Sequence, residues 1–221
     1  MSKRIFITAT DTNAGKTYIS AGLLRTAHNR QIKATGVKPV ASGCVMQNGK
    51  LCNDDVMTLR LASPYPLDVE VMNPFTFEPA IAPHIAAAQS GIKLDVTTLL
   101  QQSRVALTAP VDVHIIEGFG GWHAPLNYHE TMADYAVALN CNVVMVVGIR
   151  LGCINHAILT ERAILASGAS CLGWIANKID PDMSYQIENI QTLQRCLHTP
   201  QLGTVGYREL AEFSLRDHAI F

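Results

Sequence analysis

Apolar residues occur along the chain in short unbroken runs, separated by segments with helical spacing of apolar positions. Most of these runs lack the polar alternation of a half-buried strand. Continuous apolar runs are typical of strands that are buried on both faces of a parallel sheet. The predicted strands are Arg4–Ala9, Ala34–Val40, Val111–Glu117, Val143–Ile149, Leu172–Asn177 and Leu202–Val205.

Helical segments follow most of these runs, so strands and helices alternate. This alternation predicts an α/β fold with a doubly wound, mostly parallel sheet flanked by helices, and such sheets bind ligands beyond the carboxyl ends of their strands. Without a linker, repeat or low-complexity stretch, we expect a single domain over residues 1–221. The predicted helices are Lys16–Asn29, Asp54–Leu61, Ala82–Gln89, Val96–Leu107, Thr131–Leu139, Asn155–Ser167 and Ser184–Cys196.

Charge and composition exclude several classes of partner. The net charge is -1, and Lys and Arg are spread along the chain, so the clustered basic face of a nucleic-acid-binding protein is not expected. The longest apolar run, around Val143–Ile149, is far too short to span a membrane. None of the six cysteines forms a CxxC pair, and the N-terminal segment is not typical of a secretion signal. We therefore expect reduced thiols and a cytoplasmic protein.

A phosphate-binding loop is predicted directly after the first strand. Gly15-Lys16-Thr17 is the GK[ST] end of a P-loop, and a helical pattern follows it. Backbone N–H groups at a helix N-terminus can hold a triphosphate, Lys16 adds a positive charge, and the Thr17 hydroxyl can bind Mg²⁺. The short motif also occurs by chance, and an ordinary strand–turn–helix junction is the alternative. Its position between a strand and a helix favours the P-loop.

Charged residues at other strand ends fit the same site. Lys38 precedes a proline at the end of the second strand, although a lone lysine there could simply be solvated. Asp54 is predicted to cap the next helix, which leaves Asp55 free to reach a metal. Glu117 closes an apolar strand, where P-loop enzymes carry a metal-binding carboxylate. Thr17, Asp55 and Glu117 would together offer the hard oxygen ligands that Mg²⁺ prefers.

A glycine-containing segment, 151–156, follows the strand Val143–Ile149. The N-terminus of the helix after it is a second candidate anion site. We expect Cys153 to be a small apolar filler and assign no chemistry to His156.

These segments together resemble the dethiobiotin synthetase family, an ATP-dependent P-loop family. The similarity runs in family order over nearly the whole chain, and the combination is highly specific. The matching segments are ThrAspThr-x-x-GlyLysThr (10–17), LysProValAlaSerGly (38–43), Asp55, AsnProPheThrPhe (73–77), GluGly-x-GlyGlyTrp (117–122), LeuGlyCysIleAsnHis (151–156) and GlyTrpIleAlaAsn (173–177).

The resemblance implies a homodimeric enzyme of biotin synthesis with its site at the subunit interface. It would use ATP and Mg²⁺ to convert 7,8-diaminononanoate and CO2 or bicarbonate to dethiobiotin, ADP and phosphate. Lys16 and Lys38 would be catalytic, and Thr17, Asp55 and Glu117 would hold the metal. The implied ATP-binding residues are Asn13, Ala14, Gly15, Lys16, Thr17, Tyr18, Asp55, Glu117, Gly118, Gly120, Asn177, Val205, Gly206 and Tyr207. The implied substrate-binding residues are Ser42, Gly120, Gly152, Cys153, Ile154 and Asn155, with the last four supplied by the neighbouring subunit.

The sequence departs from the family pattern at a few positions. Ala9 stands where a glycine is common, Asn13 and Lys178 stand where acids are frequent, and Phe119 replaces a small residue. These departures concern nucleotide affinity and base selectivity more than the type of reaction.

Two other functions are open at this point. A different ATP-dependent amide or ring-forming ligase on the same scaffold would keep the phosphate site but change the segments at 38–43 and 151–156, both of which are present here. A partitioning-type ATPase switch would carry an extra lysine in the phosphate loop, where this chain has Asp11.

Overall fold

The computed structural model describes residues 2–209 and 220–221, and strands alternate with helices through most of it. The strands are β1 (Lys3–Ala9), β2 (Ala34–Val37), β3 (Val40–Ser42), β4 (Val45–Gln47), β5 (Lys50–Cys52), β6 (Phe75–Phe77), β7 (Val113–Glu117), β8 (Asn142–Ile149), β9 (Ser170–Lys178) and β10 (Gln201–Val205). The helices are α1 (Lys16–Asn29), α2 (Asp54–Ala62), α3 (Val69–Met72), α4 (Pro83–Gln89), α5 (Val96–Leu107), α6 (Met132–Ala138), α7 (Cys153–Ala166) and α8 (Gln186–Cys196).

The main sheet is parallel throughout, in the order β10-β9-β8-β1-β7-β2. The central strand β1 pairs with β7 on one side, with Ile5 opposite Ile115. It pairs with β8 on the other side, with Ala9 opposite Val146. Because all these strands point the same way, the loops after β1, β7 and β8 emerge at one edge of the sheet.

The apolar runs are buried on both faces of this sheet. Along β1, Ile5 and Ile7 pack into one core with residues of α1 and α2, whereas Phe6 packs into a second core with residues of α5 to α8. Alternate side chains therefore enter opposite cores, which explains why the strands lack polar alternation. The predicted doubly wound α/β fold is confirmed.

The predicted strand Ala34–Val40 is wrong as a single element. The chain leaves the main sheet after Val37 and continues as β3, which pairs in parallel with β6 in a separate two-stranded sheet. The break falls at Lys38-Pro39, because proline has no N–H to donate to a ladder. Instead, the Pro39 carbonyl accepts a hydrogen bond from the Phe75 amide at 3.1 Å, which starts the second sheet.

Helix α2 starts at Asp54 as predicted, but its cap differs, and several other helices start one or two residues away from their predicted first residue. Asn53, and not Asp54, is the N-cap of α2, and its side chain accepts a hydrogen bond from the Asp55 amide at 3.1 Å. Helix α7 begins at Cys153 with Gly152 as its cap in the left-handed region, at a φ of 93°. The hairpin β4–β5 and the short helix α3 were not predicted. None of the helices in the described ranges is long and apolar enough to cross a membrane.

Candidate active site

A cleft of about 940 Å³ lies at the edge of the sheet where the strands β1 and β7 end. One wall is the phosphate loop with the start of α1, and the other contains β3 and the segment 80–83 that leads into α4. The cleft is lined by many of the residues that were predicted to bind ATP, metal or substrate. They are Asn13, Gly15, Lys16, Thr17, Tyr18, Lys38, Ser42, Asp55, Glu117 and Gly120.

Lys38 lies at the centre of a charged cluster in the cleft. Its Nζ is 2.6 Å from Asp55 Oδ2 and 2.6 Å from Glu117 Oε1. The Thr17 hydroxyl donates to the same Glu117 oxygen at 2.7 Å. The first turns of α1 and α2, the residue after β2 and the last residue of β7 thus bring these side chains together.

Lys16 lies in the same cleft but has a different partner. Its Nζ donates to the Gly120 carbonyl at 2.6 Å, and Gly120 has a positive φ of 57°. Burial lowers the pKa of Lys16 to about 8, because desolvation disfavours the charged form more than Glu117 stabilises it. A phosphate group would reverse that imbalance, so the site favours an anionic ligand.

The neighbouring carboxylates act in the opposite direction on Lys38. Burial disfavours its charge, but Glu117 and Asp55 outweigh this cost and raise its pKa above the usual value. Burial of Asp55 is likewise outweighed by the charge and hydrogen bond of Lys38, which lower the pKa of that carboxyl. Lys38 is therefore a cation, and Asp55 an anion, at neutral pH.

The backbone of Lys38 is held by residues that precede β6. The Lys38 amide donates to the Met72 carbonyl at 3.0 Å, and the Lys38 carbonyl accepts from Asn73 Nδ2 at 2.7 Å. Asn73 Nδ2 also lies 3.2 Å from the Phe75 carbonyl. The sequence motif at 73–77 thus fixes the position from which the lysine side chain extends.

Asn177, at the end of β9, contacts the phosphate loop from below. Its Nδ2 donates to the Ala14 carbonyl at 2.9 Å, and a Cβ on Gly15 would lie 2.1 Å from the same nitrogen. Gly15 has a φ of 91°, so both the backbone conformation and the close approach require glycine. Asn177 therefore supports the phosphate loop from the end of β9.

The other predicted residues lie outside the lining of the cleft. Gly118 is in the sheet edge below it, where a Cβ would approach the Phe6 ring to 2.8 Å. Val205 pairs with Asn177 at the end of β10, and Gly206 and Tyr207 follow. Gly152 and Asn155, at the start of α7, are exposed, Ile154 is partly exposed, and Cys153 is buried.

The oxygen atoms of the cluster suit Mg²⁺. Glu117 is 1% exposed, and its Oε2 has no hydrogen-bond donor among the residues that the structure describes. A buried carboxylate oxygen without a partner is costly, and a cation is the ligand that it accepts. In the described ranges no three His, Cys, Asp or Glu side chains group as a metal site. Two carboxylates and a hydroxyl are instead the partial set that suits a metal arriving with phosphates.

Some residues that line the cleft were not predicted from the sequence. Segment 80–83 and residues Ala124 and Pro125 form part of the lining. They carry no charge or motif, although the proline at 83 marks the start of a helix. The sequence also gave no sign that Asp11 pairs with Arg150.

A family model described as "AAA domain" matches residues 3–213. Relatives named ATP-dependent dethiobiotin synthetase match nearly the whole chain. The protein from Pseudomonas paraeruginosa (strain DSM 24068 / PA7) is 45% identical over 200 residues, 90% of this chain and 88% of its own. The protein from Cellvibrio japonicus (strain Ueda107) is 46% identical over 212 residues, 96% of this chain and 92% of its own.

Solved structures with low sequence identity share the fold. The septum site-determining protein MinD from Pyrococcus horikoshii OT3, complexed with Mg-ADP, has a TM-score of 0.59 at 14% identity, over 96% of this chain and 86% of its own. Chloroplast FtsY from Physcomitrella patens has a TM-score of 0.57 at 15% identity, over 100% of this chain and 66% of its own. At such identities the likeness supports the P-loop fold and nothing further.

Proposed function

The chain belongs to the ATP-dependent dethiobiotin synthetase family, a family of ligases in biotin synthesis, and we propose that the cleft described above carries out that reaction. It converts 7,8-diaminononanoate and CO2 or bicarbonate to dethiobiotin, with ATP cleaved to ADP and phosphate. The observation that carries the assignment is the direct contact of Lys38 with Asp55 and Glu117 beside the phosphate loop.

The reaction needs charge stabilisation more than a nucleophilic side chain. One amine of the substrate adds CO2 to form a carbamate, which is a poor electrophile until its oxygen accepts the γ-phosphoryl group. The second amine then attacks the mixed anhydride, phosphate leaves, and the cyclic urea forms. Holding that amine beside the anhydride makes ring closure effectively unimolecular. None of the six cysteines is required.

Lys16 and Lys38 have separate tasks in this scheme. Lys16 exchanges the Gly120 carbonyl for the phosphates of ATP, because a phosphate compensates its burial better than a neutral carbonyl does. Lys38 stabilises the negative charge that develops on the transferred phosphoryl group and on the carbamate. Ser42, in the wall of the cleft, contacts the diamine.

Thr17, Asp55 and Glu117 would hold Mg²⁺. When it is bound, the ion neutralises the charge on the phosphoryl oxygens. The Thr17 hydroxyl already contacts Glu117, whereas Lys38 bridges Glu117 and Asp55, so binding of the ion requires Lys38 to release these carboxylates and turn toward the phosphoryl group.

The remaining assignments concern the ends of the substrates. Asn13, Ala14, Tyr18, Gly118 and Gly120 would belong to the ATP site, and Asn177 with residues 205–207 would lie beside the base. The enzyme acts in the cytoplasm as a homodimer whose site lies at the interface. The start of α7 from a second copy, residues 152–155, then binds the carboxylate of the substrate through its N–H groups.

The test is direct synthesis by the purified protein. Incubated with 7,8-diaminononanoate, bicarbonate and MgATP, it should yield dethiobiotin, detected by mass spectrometry, together with one ADP per product. Reactions without ATP or without bicarbonate are the controls. Protein that binds ATP but forms no dethiobiotin would remove the proposal.

A further inference from the structure

Asp11 and Arg150 form an ion pair that has no role in the scheme above. Asp11 lies in the phosphate loop, and Arg150 is the first residue after β8. Asp11 Oδ2 pairs with the guanidinium of Arg150, while Asp11 Oδ1 accepts from the Thr12 amide at 2.7 Å. Both oxygens of the carboxylate are engaged, so its orientation in the loop is fixed.

The pair connects two segments that lie side by side at the sheet edge. The Thr10 amide donates to the Val146 carbonyl of β8 at 3.0 Å, so the phosphate loop starts against β8. The Arg150 carbonyl accepts from the Cys153 amide at 3.0 Å, in the first turn of α7. Arg150 therefore joins the loop that would bind the phosphates to the helix start that would bind the carboxylate of the substrate in the neighbouring subunit's site.

The exposure of the pair indicates that the fold does not depend on it. The Arg150 and Asp11 side chains are 38% and 44% exposed, and ion pairs at such positions contribute little to stability. The charge of Asp11 matters more, because it lies in a loop that has to accept a triphosphate. That charge also acts on Lys16, because Asp11 is among the groups that raise the pKa of Lys16.

We propose that Arg150 is a positioning residue for the nucleotide: it neutralises Asp11 and holds the phosphate loop against the start of α7. Without the guanidinium, the Asp11 carboxylate would stand uncompensated beside the phosphates and repel them. The inference rests on the proposed function, because the ligand whose binding it governs is MgATP.

The test is a charge-rescue series measured by calorimetric binding of MgADP. Arg150→Met should weaken binding by about tenfold, whereas Arg150→Lys, which keeps the charge, should stay within about twofold of wild type. The affinity of the double variant Asp11→Asn with Arg150→Met for MgADP should recover to within about threefold of wild type, because this variant also lacks the repelling carboxylate. The melting temperatures of all these variants should match that of wild type.

Kinetics add a second measurement. For Arg150→Met, the KM for ATP should rise by about tenfold while kcat at saturating ATP stays within about twofold, since the residue does not touch the reacting atoms. Wild-type affinity in Arg150→Met would overturn the inference. A double variant as weak as Arg150→Met would also overturn it, because that result means direct contact of Arg150 with the phosphates. Wild-type protein that fails to bind MgADP would instead remove the proposed function, and this inference with it.

Discussion

Glu117 and Glu161 are both buried glutamates, each about 1% exposed, but their surroundings differ. Glu161, on α7, accepts four hydrogen bonds from residues that precede β10, at the amino edge of the sheet. The backbone amides of His198 and Thr199 donate at 3.0 and 2.8 Å, and their side chains lie at 3.1 and 2.6 Å. Glu117, at the carboxyl edge, has Thr17 and Lys38 on one oxygen and no described donor on the other.

The difference indicates that the buried charge of Glu161 stabilises the fold, whereas the buried charge of Glu117 is available to a ligand. Burial of Glu161 favours its neutral form, but the donors outweigh this and lower its pKa, so the ionised carboxylate ties α7 to the start of β10. Glu117 is left incompletely satisfied in a cleft, which is where a ligand can complete its coordination.

Glu117→Gln should lower kcat on the order of a thousandfold, because it removes charge from the cleft where the phosphoryl group is transferred. Dethiobiotin formation, followed by mass spectrometry at saturating substrates, measures the loss. Glu161→Gln is the matched control and should keep kcat near the wild-type value. Similar loss in both variants would show that the two glutamates do not differ as described.

Lys38→Met should lower kcat on the order of a hundredfold, because a charge that stabilises the transferred phosphoryl group is lost. The affinity for MgADP should stay within about threefold, since Lys16 and the loop amides remain. Calorimetry and product formation measure the two effects. Lys50→Met is the control, because Lys50 pairs with Glu70 at the exposed surface. Wild-type turnover in Lys38→Met would exclude its role.

Glu161→Gln should lower the free energy of unfolding by about 2 kcal/mol. The remaining hydrogen bonds lose their charged acceptor, and the N–H₂ group of the new glutamine faces the donors of His198 or Thr199. This corresponds to a melting temperature lower by about 4–8 °C. Thermal unfolding monitored by circular dichroism measures it, with the exposed Glu188→Gln as control. An unchanged melting temperature would contradict the structural role of Glu161.

The difference in free energy of unfolding between wild type and Glu161→Gln should decrease at acidic pH. The folded-state pKa of Glu161 lies below its ordinary value of 4.5, so its contribution is complete above that value and is lost as the pH falls through the folded pKa. Urea unfolding of both proteins between pH 7 and acid conditions measures the difference. A constant difference across this range would show that ionisation of Glu161 does not stabilise the fold.

The main sheet and the phosphate loop could be predicted because their signals are local. The strands β1 and β8 are continuous apolar runs, and Gly15-Lys16-Thr17 is a contiguous motif. The small strands could not be predicted, since β3 and β6 have three residues each and their pairing joins Val40 to Phe75. No periodicity can be detected over three residues, and the pairing depends on tertiary contacts.

The same limit applies inside the site. The sequence predicted that Lys38, Asp55 and Glu117 would lie at one edge, because the strands of a parallel sheet end together. It did not predict that Asn73 holds the Lys38 carbonyl, because that bond joins positions 35 residues apart. Asp54 and Asn53 are both favourable caps, and only the backbone conformation distinguishes them.

The attachment of Lys38 to Asn73 also determines how this enzyme can be recombined with its relatives. The lysine belongs to the loop that leaves the main sheet, but the amide that anchors it lies beyond the hairpin and α2. A chimera that exchanges the wall of the cleft must therefore cross over before residue 38 and after residue 73. An exchange with a boundary between them would join a lysine from one parent to an anchor from another.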